Sequence, residues 1–304
     1  MKKILVLFLM VSIAFSAFAG GATEDGGGDD AALGTEENPI VWSFVPSGEM
    51  EAVATGADEM AELLREATGY FFETNVATEY AGVVEALSTD PPSAHMASLN
   101  TFGYIVAADR GVAEAALVAV RFGNPFYNGQ IVVGADTGIT EVEDLAGTTF
   151  ARPDPLSTSG WIIPMITMRA AGIDTEDDLE VVDAGGHPAV IAAVYNGDVD
   201  AGASYVDARG TIEDDNPDVM EKVNVIAISP DIPNDGVQFS PVVPEDMREE
   251  IVQALLDLSE TEEGVEALQA AYSWNELTRR GDDFYDPFRQ ILQASGVDPM
   301  TLME

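Results

Sequence analysis

Arg152-Pro-Asp-Pro-Leu-Ser-Thr-Ser-Gly-Trp161 is the stretch of this chain whose reading decides the most. The apolar run before it, 148–151, reads as a strand that ends at Arg152. Pro153 and Pro155 stiffen the exit from that strand. Ser157, Thr158 and Ser159 then precede an apolar segment, 161–171, whose spacing predicts a helix kinked at Pro164. Three hydroxyls beside the free backbone N–H groups of a helix start, at the positive end of its dipole, make an anion site. The plainer reading of the same residues is a helix cap in a Ser/Thr-rich loop. A Walker loop is excluded, because Gly-Lys-Ser/Thr is missing.

Working outward, strand and helix patterns alternate. Strands are predicted at 40–45, 70–76, 94–99, 115–122 and 130–133, with helices at 53–64, 80–87 and 102–108. After the quoted stretch come strands at 179–182, 199–204 and 223–228 and a helix at 189–195. A strand at 237–243 follows, and then helices at 247–258, 263–272 and 284–294. Two such series predict parallel α/β sheets in two lobes, with a ligand near helix N-termini at the carboxyl ends of strands. Two further loops have the composition of a site. Gly185-Gly186-His187-Pro188 leaves a strand and enters a helix, and its His can either donate to a ligand oxygen or serve as a cap. Pro233-Asn234-Asp235-Gly236 is the other.

Composition narrows the chemistry. Acidic residues number 54 against 13 basic, a formal charge of -41, so nucleic acid and anionic membrane are poor partners. There is no cysteine, which removes disulfides, thiolate metal sites and a cysteine nucleophile. His95 and His187 are the only histidines, too few for a polyhistidine metal centre, and no cofactor or metal is expected. At the start, Lys2 and Lys3 precede an apolar run, 4–15, and Ala17-Phe18-Ala19, the pattern of a signal peptide over 1–19. That run is too short to span a membrane. No cysteine follows for lipid attachment, so the expected destination is the periplasm or the exterior. Residues 20–37, Gly-rich and acidic, read as a disordered tether.

Taken together the segments resemble the periplasmic phosphonate-binding proteins of ABC transporters, a family that includes phosphite and phosphate binders. The likeness runs from about Ile40 to the C-terminus. Its most specific motif is Asp154-Pro155-x-Ser157-Thr158-Ser159-Gly160-x-x-x-Pro164. Supporting pieces are Tyr80-Ala81-Gly82, Asp144-Leu145-x-Gly147, Gly186-His187, Asn196-Gly197-x-Val199-Asp200-Ala201 and Ile232-Pro233-x-Asp235. The resemblance implies a type II bilobed α/β fold with two crossovers at a hinge, lobe 1 being 38–128 with 238–304 and lobe 2 being 129–237.

It also implies a site. Ser157, Thr158 and Ser159 take the phosphonate oxygens, Tyr80 and Tyr127 donate hydroxyls, and His187 joins them. Asp207 and Asp235 fall where aminophosphonate binders hold the ligand ammonium, Asp207 being one methylene shorter than the usual Glu. The Ser98-Leu99-Asn100-Thr101 loop departs from the family's turn. The implied function is capture of a phosphonate-type oxyanion, an aminoalkylphosphonate above others, for delivery to an ABC permease. The alternatives are phosphite or phosphate as ligand, or a periplasmic sensor for another small anion. No Lys or Arg lies within the motif or beside His187 in sequence, so hydrogen bonds rather than ion pairs are expected to hold the ligand. An enzyme is not expected: Ser157, His187 and Asp207 lack the G-x-S-x-G elbow that a hydrolase triad would use.

Overall fold

Ile40, Trp42 and Phe44 are almost wholly buried, and so are Ser43 and Val45 between and beyond them. A strand buried on both faces must lie inside a covered sheet, and β1 (Ile40–Phe44) does so. The computed structural model describes residues 31–303. From β1 the chain runs through α1 (Met50–Thr68), β2 (Phe72–Val76), α2 (Tyr80–Ser88), β3 (Met96–Ser98), α3 (Thr101–Asp109) and β4 (Glu114–Val120). It continues through β5 (Phe126–Tyr127), β6 (Gly129–Gly134), β7 (Thr149–Arg152), α4 (Ile163–Ala170), β8 (Glu180–Asp183), α5 (His187–Asn196), β9 (Ala201–Tyr205), α6 (Val219–Lys222) and β10 (Val223–Ile228). The return path is β11 (Ile232–Pro233), β12 (Gly236–Phe239), α7 (Glu245–Leu258), α8 (Glu262–Tyr272), β13 (Glu276–Arg279) and α9 (Asp286–Ser295).

Two large sheets result, ordered β13-β4-β12-β3-β1-β2 and β10-β6-β9-β7-β8. Both are mixed, where the alternating pattern predicted parallel sheets. β1 is parallel to β2 and β3, and β7 is parallel to β8 and β9. β12 is antiparallel to β3 and β4, and β6 is antiparallel to β9 and β10. The cause is the path of the chain. It leaves the first sheet along β4 and enters the second along β6, then leaves along β10 and re-enters the first along β12. An entering strand must run against those that lead out. β13 lines the outer edge, antiparallel to β4; its alternation over four residues was too short to read as a strand.

The two crossings pair with each other. β5 and β11 form a two-stranded antiparallel ladder, with Tyr127 opposite Ile232 and Phe126 opposite Pro233. This ladder is the hinge. The strands parallel to β1 and to β7 all end toward it, so the loops that follow them converge on one cleft between the sheets.

Packing follows the sequence pattern elsewhere. α1 buries Val53, Gly56, Ala57, Met60, Ala61 and Leu64 at helical spacing and stops at Gly69, whose φ of 79° is left-handed. Gly56 lets α8 approach closely: a Cβ there would stand 2.4 Å from the Ala271 nitrogen. In β6, Ile131 and Val133 face one cluster and Val132 the other, so both faces of the second sheet are covered. Ordered contacts begin before Asn38, within the stretch read as a tether: the Phe71 N–H donates to Gly34 O at 2.9 Å, and Leu33 packs on the core. The predicted signal peptide, 1–19, lies outside the described residues.

Candidate functional site

The loop after β7 turns tightly because Gly160 has no side chain; a Cβ there would stand 2.3 Å from Pro153 Cδ. Ser157 caps the turn, its Oγ accepting from the Gly160 N–H at 3.2 Å. The first turn is a wide π-type turn, Thr158–Ile162, in which both the Trp161 and the Ile162 N–H donate to Ser157 O. Pro164 therefore falls in the first turn of α4, directly after the π-type turn. A π-type turn of this kind is often found at functional sites.

Ser157, Thr158 and Ser159 are each 2% exposed or less. Thr158 Oγ1 accepts from the Phe102 N–H at 3.0 Å and from Asn100 Nδ2 at 2.9 Å, so its own proton is left to donate. Asn100 Nδ2 also donates to Leu156 O at 2.8 Å. The loop that departs from the family's turn is thus the one that grips the motif.

His187 starts α5, with its N–H donating to Ser47 O at 3.2 Å. Its Nδ1 lies 2.8 Å from Ser204 Oγ, and its Nε2 lies 3.4 Å from Ser157 Oγ. The ring packs against Tyr205, centroids 4.9 Å apart. Burial, helped by the Arg121 cation, pushes its pKa down to about 3, so the ring is neutral at pH 7. Tyr80 begins α2, and burial, with the Asp154 carboxylate adding to it, drives its phenol well above the ordinary value. Tyr127, on the hinge, is pushed up to about 12 by burial and by Asp235. Both phenols stay protonated and able to donate.

Arg121 is the residue that motif reading missed. It follows β4 at the first crossing, and sequence reading placed it inside a strand. Its Nη1 donates to Asn234 Oδ1 at 2.9 Å, and its Nη2 donates to Asp235 Oδ2 at 3.1 Å and Tyr272 O at 3.0 Å. Trp274 Nε1 also donates to Asp235 Oδ2, at 2.9 Å. Asp235 is therefore in the cleft but already matched by a cation, and it is not the unpaired carboxylate that the resemblance implied. Asp207 is placed differently again. It sits at the left-handed start of a 3-10 turn with φ 66°, its side chain 77% exposed, 3.7 Å from Arg209. That carboxylate is open to solvent, and no hydrogen bond or ion pair joins it to the cluster. Asp154, which sequence reading placed in the motif without a ligand role, is buried, and burial raises its pKa.

So the structure brings together Tyr80, Tyr127, Ser157, Thr158, Ser159, His187 and Asp235, and leaves Asp207 outside. The open hollow of about 460 Å³ lined by Glu114, Arg248 and Arg279 lies on the outer edge of the first sheet and contains none of them. Among the described residues no cluster of His, Asp and Glu is placed to hold a metal ion, and no helix is long and apolar enough to cross a membrane.

Comparisons with known proteins bear on the fold and the family. A family model described as the periplasmic substrate-binding protein of phosphonate ABC transporters matches residues 42–283. The phosphate-import protein PhnD of Mycolicibacterium smegmatis is 29% identical over 177 residues, 55% of this chain and 54% of that protein. The phosphonates-binding periplasmic protein of Escherichia coli is 24% identical over 220 residues, 71% of this chain and 64% of that protein. The alignments thus span less than two thirds of either relative.

Among solved structures, the binding protein component of an ABC phosphonate transporter from Pseudomonas aeruginosa matches with a TM-score of 0.76 at 21% identity, over 85% of this chain and 87% of that one. PhnD1 of Prochlorococcus marinus, solved with methylphosphonate, matches with a TM-score of 0.73 at 16% identity, over 84% and 97%. These likenesses show the two-lobed α/β fold of a type II periplasmic binding protein. With the family model matched over most of its length, the chain belongs to the periplasmic substrate-binding proteins of phosphonate ABC transporters.

Proposed function

We propose that this protein is an exported receptor that closes on a phosphorus oxyanion and hands it to an ABC permease, without catalysing a reaction. The observation that carries this reading is the set of neutral donors around the π-type turn: buried Ser157, Thr158, Ser159, neutral His187 and Tyr80, with partly buried Tyr127. An oxyanion with several acceptor oxygens matches such a set, because each neutral donor to a charged oxygen contributes roughly 1.5–3 kcal/mol. The proposed lobes, 38–128 with 238–304 and 129–237, open about the β5–β11 ladder, with the correction that Gly236 and Val237 pair with β4 in the first sheet. Export uses residues 1–19, and N-terminal sequencing of the secreted protein should begin at Gly20.

The ligand we favour carries no amine: an alkylphosphonate, phosphite or phosphate. Aminoalkylphosphonate was the expectation from Asp207 and Asp235. Asp207 is solvent-exposed, and Asp235 is matched by Arg121, so neither offers an unpaired charge to an ammonium. A calorimetric series of 2-aminoethylphosphonate, ethylphosphonate, phosphite, phosphate and sulfate tests both levels. The expected result is binding of the phosphorus ligands, with the first two within about threefold of each other. Tenfold preference for the aminated ligand would restore the amine reading, and tight binding of a neutral sugar alone would overturn the whole assignment.

A further inference from the structure

Asp154 stands in the second lobe, yet one of its bonds reaches the first. Its Oδ1 accepts from the Leu156 N–H at 2.7 Å, within its own loop. Its Oδ2 accepts from the Tyr80 N–H at 3.0 Å, at the start of α2 across the cleft. The N-cap residue of α2, Glu79, makes no side-chain cap bond, so the helix takes its capping carboxylate from the other lobe. Asn100 makes a matching link in reverse: from the first lobe, its Nδ2 donates to Leu156 O and to Thr158 Oγ1 of the second. Asp154 and Asn100 are both nine-tenths buried or more.

We propose that Asp154 and Asn100 form a clasp that holds the lobes shut, as positioning residues distinct from the groups that touch the ligand. Three physical points support it. A carboxylate accepting from a helix N-terminus gains both a charge-assisted hydrogen bond and the favourable end of the helix dipole. The bond exists only when the lobes meet, because the donor and acceptor lie on opposite sides of the hinge. Closure also commits Thr158: once Asn100 and Phe102 fill its lone pairs, its proton has only the cleft to serve. Ligand chemistry and closure are thereby coupled through one hydroxyl.

The clasp rests on the hinge and the two lobes, and only its effect on affinity rests on the oxyanion reading. The test therefore has two arms. Small-angle scattering of the ligand-free protein measures the closed fraction without any ligand. Stopped-flow dissociation of methylphosphonate measures how long the closed complex lasts.

Asp154→Asn is the informative variant. An amide has one acceptor oxygen, so it can keep the local Leu156 bond but then presents an NH2 toward the Tyr80 N–H. Asn100→Ala breaks the clasp from the opposite lobe, changes no residue of the motif loop while removing its bonds to Leu156 O and Thr158 Oγ1, and serves alone if Asp154→Asn does not fold. Each should enlarge the radius of gyration of the free protein and raise the dissociation rate about 10- to 100-fold, while association changes less than threefold. A role confined to folding the loop would instead lower the melting temperature and leave the free closed fraction and the dissociation rate of the folded protein as they are in wild type; that result would overturn the clasp. If wild type binds none of methylphosphonate, phosphite and phosphate, the function proposal fails, and the scattering arm still decides the clasp.

Discussion

His187 gives a prediction whose magnitude can be worked through. Its ring is buried between Ser204 and Ser157, and burial together with Arg121 lowers its pKa to about 3. In the unfolded chain the ordinary value is about 6.5. The unfolded state therefore binds a proton that the folded state refuses, and acid favours unfolding. Stability from this source is complete above pH 6.5, declines as pH falls toward 3, and is level below that. Over pH 7 to 5 the linkage integral is about 2 kcal/mol, and any folded value below about 4 gives nearly the same figure in that window.

The perturbation is His187→Gln, which keeps a neutral donor and acceptor and cannot titrate. Urea unfolding at pH 7.0 and 5.0, with no ligand present, measures the loss for each protein. Wild type should lose about 2 kcal/mol more than the variant across that interval. His95 is also shifted downward by burial, with Nδ1 accepting the Val41 N–H, but it is present in both proteins and cancels in the difference. Parallel pH profiles, within about 0.5 kcal/mol, would refute the buried neutral imidazole.

Four further outcomes are expected. Thr158→Val should weaken phosphonate binding about 10- to 150-fold by calorimetry, since the lost hydroxyl also orphans the Phe102 N–H, and Thr158→Ser should recover most of that. The association rate should rise between low and physiological salt, because a protein of charge -41 repels an anion at long range and salt screens that field; a steep fall would put an unmatched cation at the cleft. Gly236→Ala should cost about 3 kcal/mol or more in urea unfolding, because its Cβ would stand 1.9 Å from Leu117 O at the return crossing. Asp207→Asn should leave ethylphosphonate affinity within twofold, the carboxylate being solvated.

Much of the fold was legible because periodicity is a local property. Helix α1 shows its buried stripe in the sequence and ends at a glycine with left-handed φ. The apolar runs of β1 and β6 are those of strands covered on both faces. Strand direction was not legible, because it depends on which lobe the chain has come from. β12 and β6 carry the same kind of apolar pattern as their neighbours, and only the crossings at β5 and β11 reverse them. The π-type turn before Pro164 was not legible for a related reason: a proline in a helical pattern shows that the regular ladder is interrupted, and only the packed loop shows that the interruption is a wide turn with the α-helix beginning beside it.

Legibility of the site follows the same division. Residues sharing one loop, Ser157 to Ser159, announced themselves, whereas charge matching across the hinge did not. Arg121 and Asp235 are separated by more than a hundred residues and meet because the two crossings lie side by side. That pairing changes the electrostatics of the cleft. Asp235 is matched, His187 is neutral, and the Asp154 carboxylate is committed to two backbone N–H groups. What remains facing a ligand is a set of dipoles and hydroxyl protons with little net charge. An anion can bind there even though the whole molecule is strongly acidic, because surface carboxylates beyond a Debye length of about 8–10 Å are largely screened while donors in contact are not. The global charge therefore governs how fast an anion arrives, and the local donors govern how long it stays.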